Sequence, residues 1–382
     1  MKWLTNYVWI SPARLTGEIT KYYDSNIGLA LPNGDFLTER SGRYLTKVDA
    51  ETGSTENLYD FGSWTPGFHP YLLTQNGHLL VHQIDNWGGD NNKWFRSTNT
   101  DFTNFAEINV NEGYFRALSR HHIAEGNGMI LYGDYHVGAA DDANEPEVKI
   151  RKSIDGGLTW TPSFVFPKRG INENPENYSE DAITHIHCIE WDPYEELFWV
   201  GTGDPDSASR LYKTSDGENL ELVGRGYYDG YGGDDGQVWR VTSIQFFPDF
   251  VMWGMDGFLN PGIIDGYSGN YIVRYDRKKK TYELLHKTAG YMFYSGATDL
   301  QGGGRVALFN NNGAPSTIYA SQGGGVQELY EFATNYRITF VPLENKVLFN
   351  GGNNLPKPDA EGNIRSAVLN FREKPTLYKF IN

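Results

Sequence analysis

Ser153-Ile154-Asp155-Gly156-Gly157-Leu158-Thr159-Trp160 is the stretch on which the reading of this chain turns. An aspartate placed early in such a turn can accept the backbone N–H groups that follow it. Glycine supplies positive φ, and the tryptophan packs beneath the turn. The unit therefore joins two antiparallel strands, and Ile150-Arg151-Lys152-Ser153 reads as the strand entering it. Upstream lies a hairpin, Ile123 to Tyr135, turning at Gly126-Asn127-Gly128. An inner hairpin, a polar loop and an outer hairpin form one structural unit.

The unit recurs along the whole chain. Further inner hairpins read as Leu29 to Glu39 across Asn33-Gly34, Tyr71 to Gln83 across Asn76-Gly77, and Ile189 to Gly203 across Asp192-Pro193-Tyr194. Three more follow: Ile244 to Asp256, Gly296 to Asn310 and Ile338 to Asn350. Asn-Gly between apolar runs is a strong hairpin signal, since a type I′ turn requires positive φ. Outer strands open at Tyr44, Trp94, Ile150, Leu211, Ile272, Ile318 and Val368. Radial closure leaves few free strand edges. The expected fold is all-β, a seven-bladed β-propeller of four-stranded antiparallel blades forming one domain over residues 1–382. Residues 1–26 are expected to complete the last blade. A two-sheet sandwich is the competing architecture, and it accounts for the repeat less well.

The eight-residue turn matches the Asp-box, Ser-x-Asp-x-Gly-x-Thr-Trp, and so resembles the sialidase-like (BNR) propeller superfamily. Ser153, Asp155, Gly157, Thr159 and Trp160 carry the match. Thr214-Ser215-Asp216-Gly217 is a decayed copy, and Ser97-Thr98-Asn99 a fainter one. The resemblance implies a propeller whose Asp-boxes stabilise turns away from the working face. It does not imply sialidase activity. The Arg-Ile-Pro segment of sialidases is missing, and Arg14, Arg40 and Arg43 stand in other contexts.

Composition narrows the classes of partner. Formal net charge is −15, which disfavours a nucleic-acid footprint or an anionic membrane surface. Cys188 is the single cysteine, so disulfide frameworks and multi-cysteine zinc sites are excluded. The N-terminus shows no basic segment followed by an apolar run, so no secretion signal is read. With 10 Trp, 25 Tyr and 21 Phe, the chain has ample material both for a core and for sugar-stacking platforms.

The repeat places its long loops on one face, between second and third strands and between successive units. There the second strands end in Glu39, Gln83, Asp134, Asp204, Asp256, Asn310 and Asn350. Such residues either cap the chain as it turns or together bind sugar hydroxyls or a cation. Ca2+ on Asp134, Asp204 and Asp256 is the favoured metal expectation. His185 and His187 share one side of an inner strand by alternation. They are either metal ligands or an acid–base pair with His136 and Asp204 nearby, or else satisfied structural histidines. The densest segment runs from Gly226 to Arg240. Its Tyr228, Tyr231, Asp234, Asp235, Trp239 and Arg240 are read as glycan contacts, with Trp87, Tyr135 and Tyr178 on the same face.

Two functions follow. The first is a surface-glycan or polysaccharide binder, such as a phage-tail receptor-binding protein, extracellular or virion-associated, its weak sites reinforced by oligomeric presentation. The second is a carbohydrate-active enzyme at the same face. A glycoside hydrolase would draw on a pair among Asp134, Asp204, Asp256, Asp234 and Asp235. A polysaccharide lyase would use His136, His185, Tyr228 and Arg240.

Overall fold

The computed structural model describes residues 14–23, 26–62, 67–84, 93–108, 120–135, 147–169, 179–292, 295–299, 304–312, 316–332, 339–343, 346–356 and 363–374. Among the described residues, strands run antiparallel in sequence order through five of the seven sheets. β1 (Arg14–Tyr23) stands apart, and is followed by the blade β2 (Asn26–Ala30), β3 (Phe36–Arg40), β4 (Tyr44–Val48) and β5 (Thr55–Asp60). The next blade is β6 (Gly67–Leu73), β7 (Leu79–Ile84), β8 (Lys93–Ser97) and β9 (Phe105–Ile108). Then come β10 (Ile123–Gly126), β11 (Met129–Gly133), β12 (Glu147–Ser153) and β13 (Thr161–Pro167). They are followed by β14 (His185–Asp192), β15 (Leu197–Gly203), β16 (Arg210–Thr214) and β17 (Glu221–Arg225).

The sheet after these is different. It holds β18 (Val241–Phe246), β19 (Phe250–Met255), β20 (Leu259–Ile264), β21 (Tyr267–Asp276) and β22 (Thr281–Thr288). A further blade follows in β23 (Ser295–Asp299), β24 (Arg305–Asn310), β25 (Ser316–Ser321) and β26 (Val326–Phe332). The last contains β27 (Thr339–Leu343), β28 (Lys346–Pro356) and β29 (Asn363–Lys374), with β1 paired along β29.

The expectation of seven four-stranded blades needs correction. Among the described residues, six sheets are four-stranded blades and the remaining sheet has five strands. Its extra strand, β20, lies in a stretch read from sequence as a loop. Gly262 and Gly266 take φ of +89° and +80°, which lets the chain fold back so that Ile264 pairs with Tyr267 and Leu259 with Gly269. β21 is long enough to pair with β20 along its first part and with β19 and β22 along the rest.

Inner turns also differ in detail from the expected type I′. At Asn33-Gly34 and Asn76-Gly77 only the glycine has positive φ, and its N–H bonds the carbonyl three residues back. This is the type I turn followed by a left-handed glycine. Asn127-Gly128 does carry positive φ at both positions, +49° and +73°.

The Asp155 turn is built as its chemistry requires. Asp155 Oδ1 accepts from Leu158 N at 3.0 Å and Thr159 N at 2.9 Å, and its Oδ2 from the Thr159 hydroxyl at 2.6 Å. The Trp160 indole N–H donates to the Gly157 carbonyl at 3.1 Å. Asp216 repeats this, accepting from Glu218 N, Asn219 N and the Asn219 amide. Each turn also clasps the preceding blade. The Arg96 guanidinium donates to the Gly156 carbonyl at 2.8 Å and Lys152 Nζ to the Asp216 carbonyl at 3.3 Å. A Cβ on Gly157 would meet Leu80 at 2.9 Å, and one on Gly217 would meet Leu131 at 2.7 Å. The glycines permit close contact as well as the turn. Apolar cores correspondingly lie between blades, as where Trp199 and Leu211 meet Val241, Trp253 and Val273.

Both turn carboxyls titrate below their ordinary range. For Asp155, partial burial pushes upward, but the Thr159, Ser153 and Leu158 hydrogen bonds outweigh it. For Asp216 the Asn219 amide and the turn N–H groups dominate. A depressed folded pKa contributes stability above the unfolded value near about 3.9, and that stability is lost as pH falls through the folded value. The Asp155→Asn, Asp216→Asn double variant should therefore lose about 1–2 kcal/mol at neutral pH. In urea titrations it should lose less than the parent between about pH 5 and pH 2. Equal acid sensitivity in the two proteins would contradict this role.

Candidate functional site

Strand direction gathers the site. β14 begins where β15 ends, and the connections 204–209 and 226–240 leave from the same edge, opposite the Asp155 and Asp216 turns. β14 carries a bulge between Ile186 and Cys188, with His187 as the residue left out of register. The His185 and His187 rings stack with centroids 4.8 Å apart, and their Nε2 atoms approach to 2.8 Å. Asp204 Oδ1 lies 3.0 Å from His187 Nε2 and 3.5 Å from His185 Nε2. A Cβ on Gly203 would stand 2.3 Å from the His187 ring, so glycine at that strand end makes room for the imidazole.

Arg240 joins this cluster to the next sheet. Its guanidinium pairs with Asp204 at 2.8 Å and with Asp256, just beyond β19, at 3.2 Å. The Tyr135 ring lies 4.2 Å from that of His185. Burial holds the His187 imidazole down to about pKa 4, against the upward pull of Asp204. Burial would raise the Asp204 carboxyl, but the two histidines hold it well below the usual carboxylate range. Arg240 remains protonated, because Asp256 and Asp204 offset the cost of its burial. Burial and the Asp204 charge push the Tyr231 phenol upward.

Two loops form the rim. Asp206 is fully buried, and its carboxylate accepts from Gly232 N at 2.9 Å, Gly233 N at 2.8 Å, Asp234 N at 3.2 Å and Gln237 Nε2 at 2.5 Å. Asp206 N and Ser207 N donate to the Gly230 and Tyr228 carbonyls. Asp234 accepts from Tyr227 N and Tyr228 N, each at 2.6 Å, and caps the 3-10 turn Asp235–Trp239 through Gly236 N. Asp229 accepts from Ser207 and Arg169. With its backbone held at so many points, the segment keeps Tyr227, Tyr228 and Tyr231 exposed, at 71%, 51% and 36%.

Several sequence expectations are corrected here. Asp134 is neither an open metal ligand nor a free acid: it is wholly buried, ion-paired to Arg151 at 3.0 Å and accepting from Lys149 N. Trp239 is not a stacking platform. It is 6% exposed, packed between Trp253 and Tyr282 with Gly224 beneath it. Asp234 and Asp235 serve the fold, the first as the cap described and the second as acceptor for the Tyr282 hydroxyl at 3.0 Å. Glu39 and Asn310 cap their own turns, through Gly42 N and the Ser316 hydroxyl. Asp256 is buried against Arg240, so the Asp134, Asp204, Asp256 calcium ring does not assemble. Trp87, His136 and Tyr178 lie outside the described residues, as does the side chain of Asn350.

Asp206 and Gly203 were not singled out from sequence, and Tyr227 and Gln237 only as part of the segment 226–240. A signal for Asp206 existed. A short Asp-rich loop and a Gly-Gly-Asp segment leave from the same edge, so their donors and acceptors complement each other.

The chain matches no family model, and no curated protein matches it in sequence. Solved structures do resemble it. A GH74 enzyme from Niastella koreensis superposes with a TM-score of 0.56 at 13% identity, covering 91% of this chain and 54% of that one. The WD40 β-propeller domain of Doa1 superposes with a TM-score of 0.54 at 8% identity, covering 95% and 98%. The fold is therefore a β-propeller, and this chain spans about half the length of the GH74 neighbour.

Trp239→Ala should cost about 3–5 kcal/mol in chemical denaturation, as a core truncation does. Tyr228→Ala should stay within about 0.5 kcal/mol of the parent. Equal costs for the two would mean that the loop is packed differently.

Proposed function

We propose that the loop face of this propeller binds carbohydrate, with Tyr227, Tyr228 and Tyr231 as the platforms on which sugar rings stack. The observation that carries this reading is the fixed backbone beneath exposed rings. Tyrosine offers a flat apolar face and a hydroxyl, and a rigid platform loses little entropy on binding. Tyr291, 37% exposed, extends the aromatic surface from the following inter-blade connection, its ring 6.2 Å from that of Phe258. Arg240 and Asp204, each partly open to solvent, supply polar contacts at the floor. A GH74 glycoside hydrolase among the structural neighbours agrees with a sugar-directed face. The turns at Asp155 and Asp216 are read as Asp-boxes with a structural role, and the ligand as a surface polysaccharide.

Binding is favoured over hydrolysis at the described acids. A glycosidase sets two carboxyl groups on either side of the scissile bond, one of them kept protonated. Asp204 and Asp256 instead share one guanidinium, and Asp204 is held ionised.

The test is a polysaccharide panel followed by the Tyr228→Ala, Tyr231→Ala double variant. With stacking worth about 0.5–1.5 kcal/mol per ring, affinity for a responsive glycan should fall roughly fivefold to a hundredfold, with circular dichroism unchanged. Undiminished binding by the variant, or no glycan bound by the parent, would refute the proposal.

A further inference from the structure

We propose that His185, His187 and Asp204 bind one divalent first-row transition cation, of which Zn2+ is the representative, at the mouth of the propeller. The inference does not depend on whether the face binds sugar. Three atoms with lone pairs, two imidazole Nε2 and one carboxylate Oδ1, converge with mutual separations of 2.8, 3.0 and 3.5 Å. Among the described residues they form the one group of three or more His, Cys, Asp or Glu side chains so arranged. A cation bound at about 2.0–2.2 Å to each ligand spaces them by about 3.3–3.6 Å in tetrahedral geometry and about 2.8–3.1 Å at right angles, the range spanned here.

His187 Nε2 lies within hydrogen-bonding distance of both other atoms, and a cation beside the triangle would contact all three at once. The histidine rings are buried, and Asp204, with 15% of its side chain exposed, is the member of the cluster that opens to solvent. Gly203 and the bulge at His187 are the backbone features that bring the rings together.

Charge points the same way. Arg240 pairs with both Asp204 and Asp256, so one carboxylate is offset and one negative charge is left over. A divalent cation reverses that balance and leaves a Lewis-acidic centre with protein ligands on one side. Imidazole nitrogen suits zinc and its neighbours, whereas calcium prefers six to eight oxygens and finds one here. Two histidines and one carboxylate with further positions open is the arrangement of metal centres that accept an exogenous oxygen ligand. At this mouth, a sugar hydroxyl or carboxylate fits that position.

The experiment uses the full chain, stripped with chelator and titrated with Zn2+, Co2+ and Ca2+ separately. One equivalent of Zn2+ should bind in calorimetry and by elemental analysis after dialysis, Co2+ should develop a visible ligand-field spectrum, and Ca2+ should not compete. His185→Gln and His187→Gln should each weaken Zn2+ about a hundredfold or more, while His286→Gln on β22 should not. If His187→Gln fails to fold, His185→Gln and the Co2+ spectrum of the unaltered protein still decide. Substoichiometric Zn2+, displacement by equal Ca2+, or Zn2+ binding unaffected by His185→Gln would each overturn the proposal.

Discussion

The Asp206 carboxylate is the interaction on which the working face depends. A buried carboxylate is costly unless its lone pairs are filled, and here three backbone N–H groups and the Gln237 amide fill them. Burial still pushes this carboxyl upward in pKa, and the donors oppose that push. The exchange fixes a glycine-rich segment that would otherwise be free to move. With that segment fixed, Tyr228 and Tyr231 take defined places and Arg240 is delivered to Asp204.

The two layers of the site thus have one origin. The short connection 204–209 supplies Asp204 to the histidines and Asp206 to the rim, two residues apart, so floor and rim are set by the same turn. Arg240 closes the arrangement against Asp256 of the next sheet, tying neighbouring sheets together at the mouth. At the far edge the Asp155 and Asp216 turns clasp the preceding blade. The scaffold is locked at both ends of the strands, as preorganised binding requires.

Much of the scaffold was legible in the residues. The inner hairpins were readable because Asn-Gly and Gly-Asn-Gly interrupt apolar runs, and the Asp155 turn because its side chains bond within eight residues. β20 was not readable. Its Asn-Pro-Gly composition signals a loop, and only pairing with an unusually long β21 makes it a strand. The site divided along the same line. His185 and His187 followed from strand alternation. The separate fates of Asp134 and Asp204, both at strand ends, depended on Arg151 of the adjacent β12 for the first and on the histidines beside the second. Trp239 looked like a rim residue because it ends a tyrosine- and glycine-rich run. The 3-10 turn Asp235–Trp239 rotates it into the core instead.

The central claim is that the rim is preorganised by Asp206 before any ligand arrives. Hydrogen–deuterium exchange resolved to individual amides in the ligand-free protein tests it most directly. The Gly232, Gly233 and Asp234 amides should exchange as slowly as those of β18, and Asp206→Asn should release all three while β18 stays protected. Rapid exchange of these amides in the unaltered protein would contradict the account.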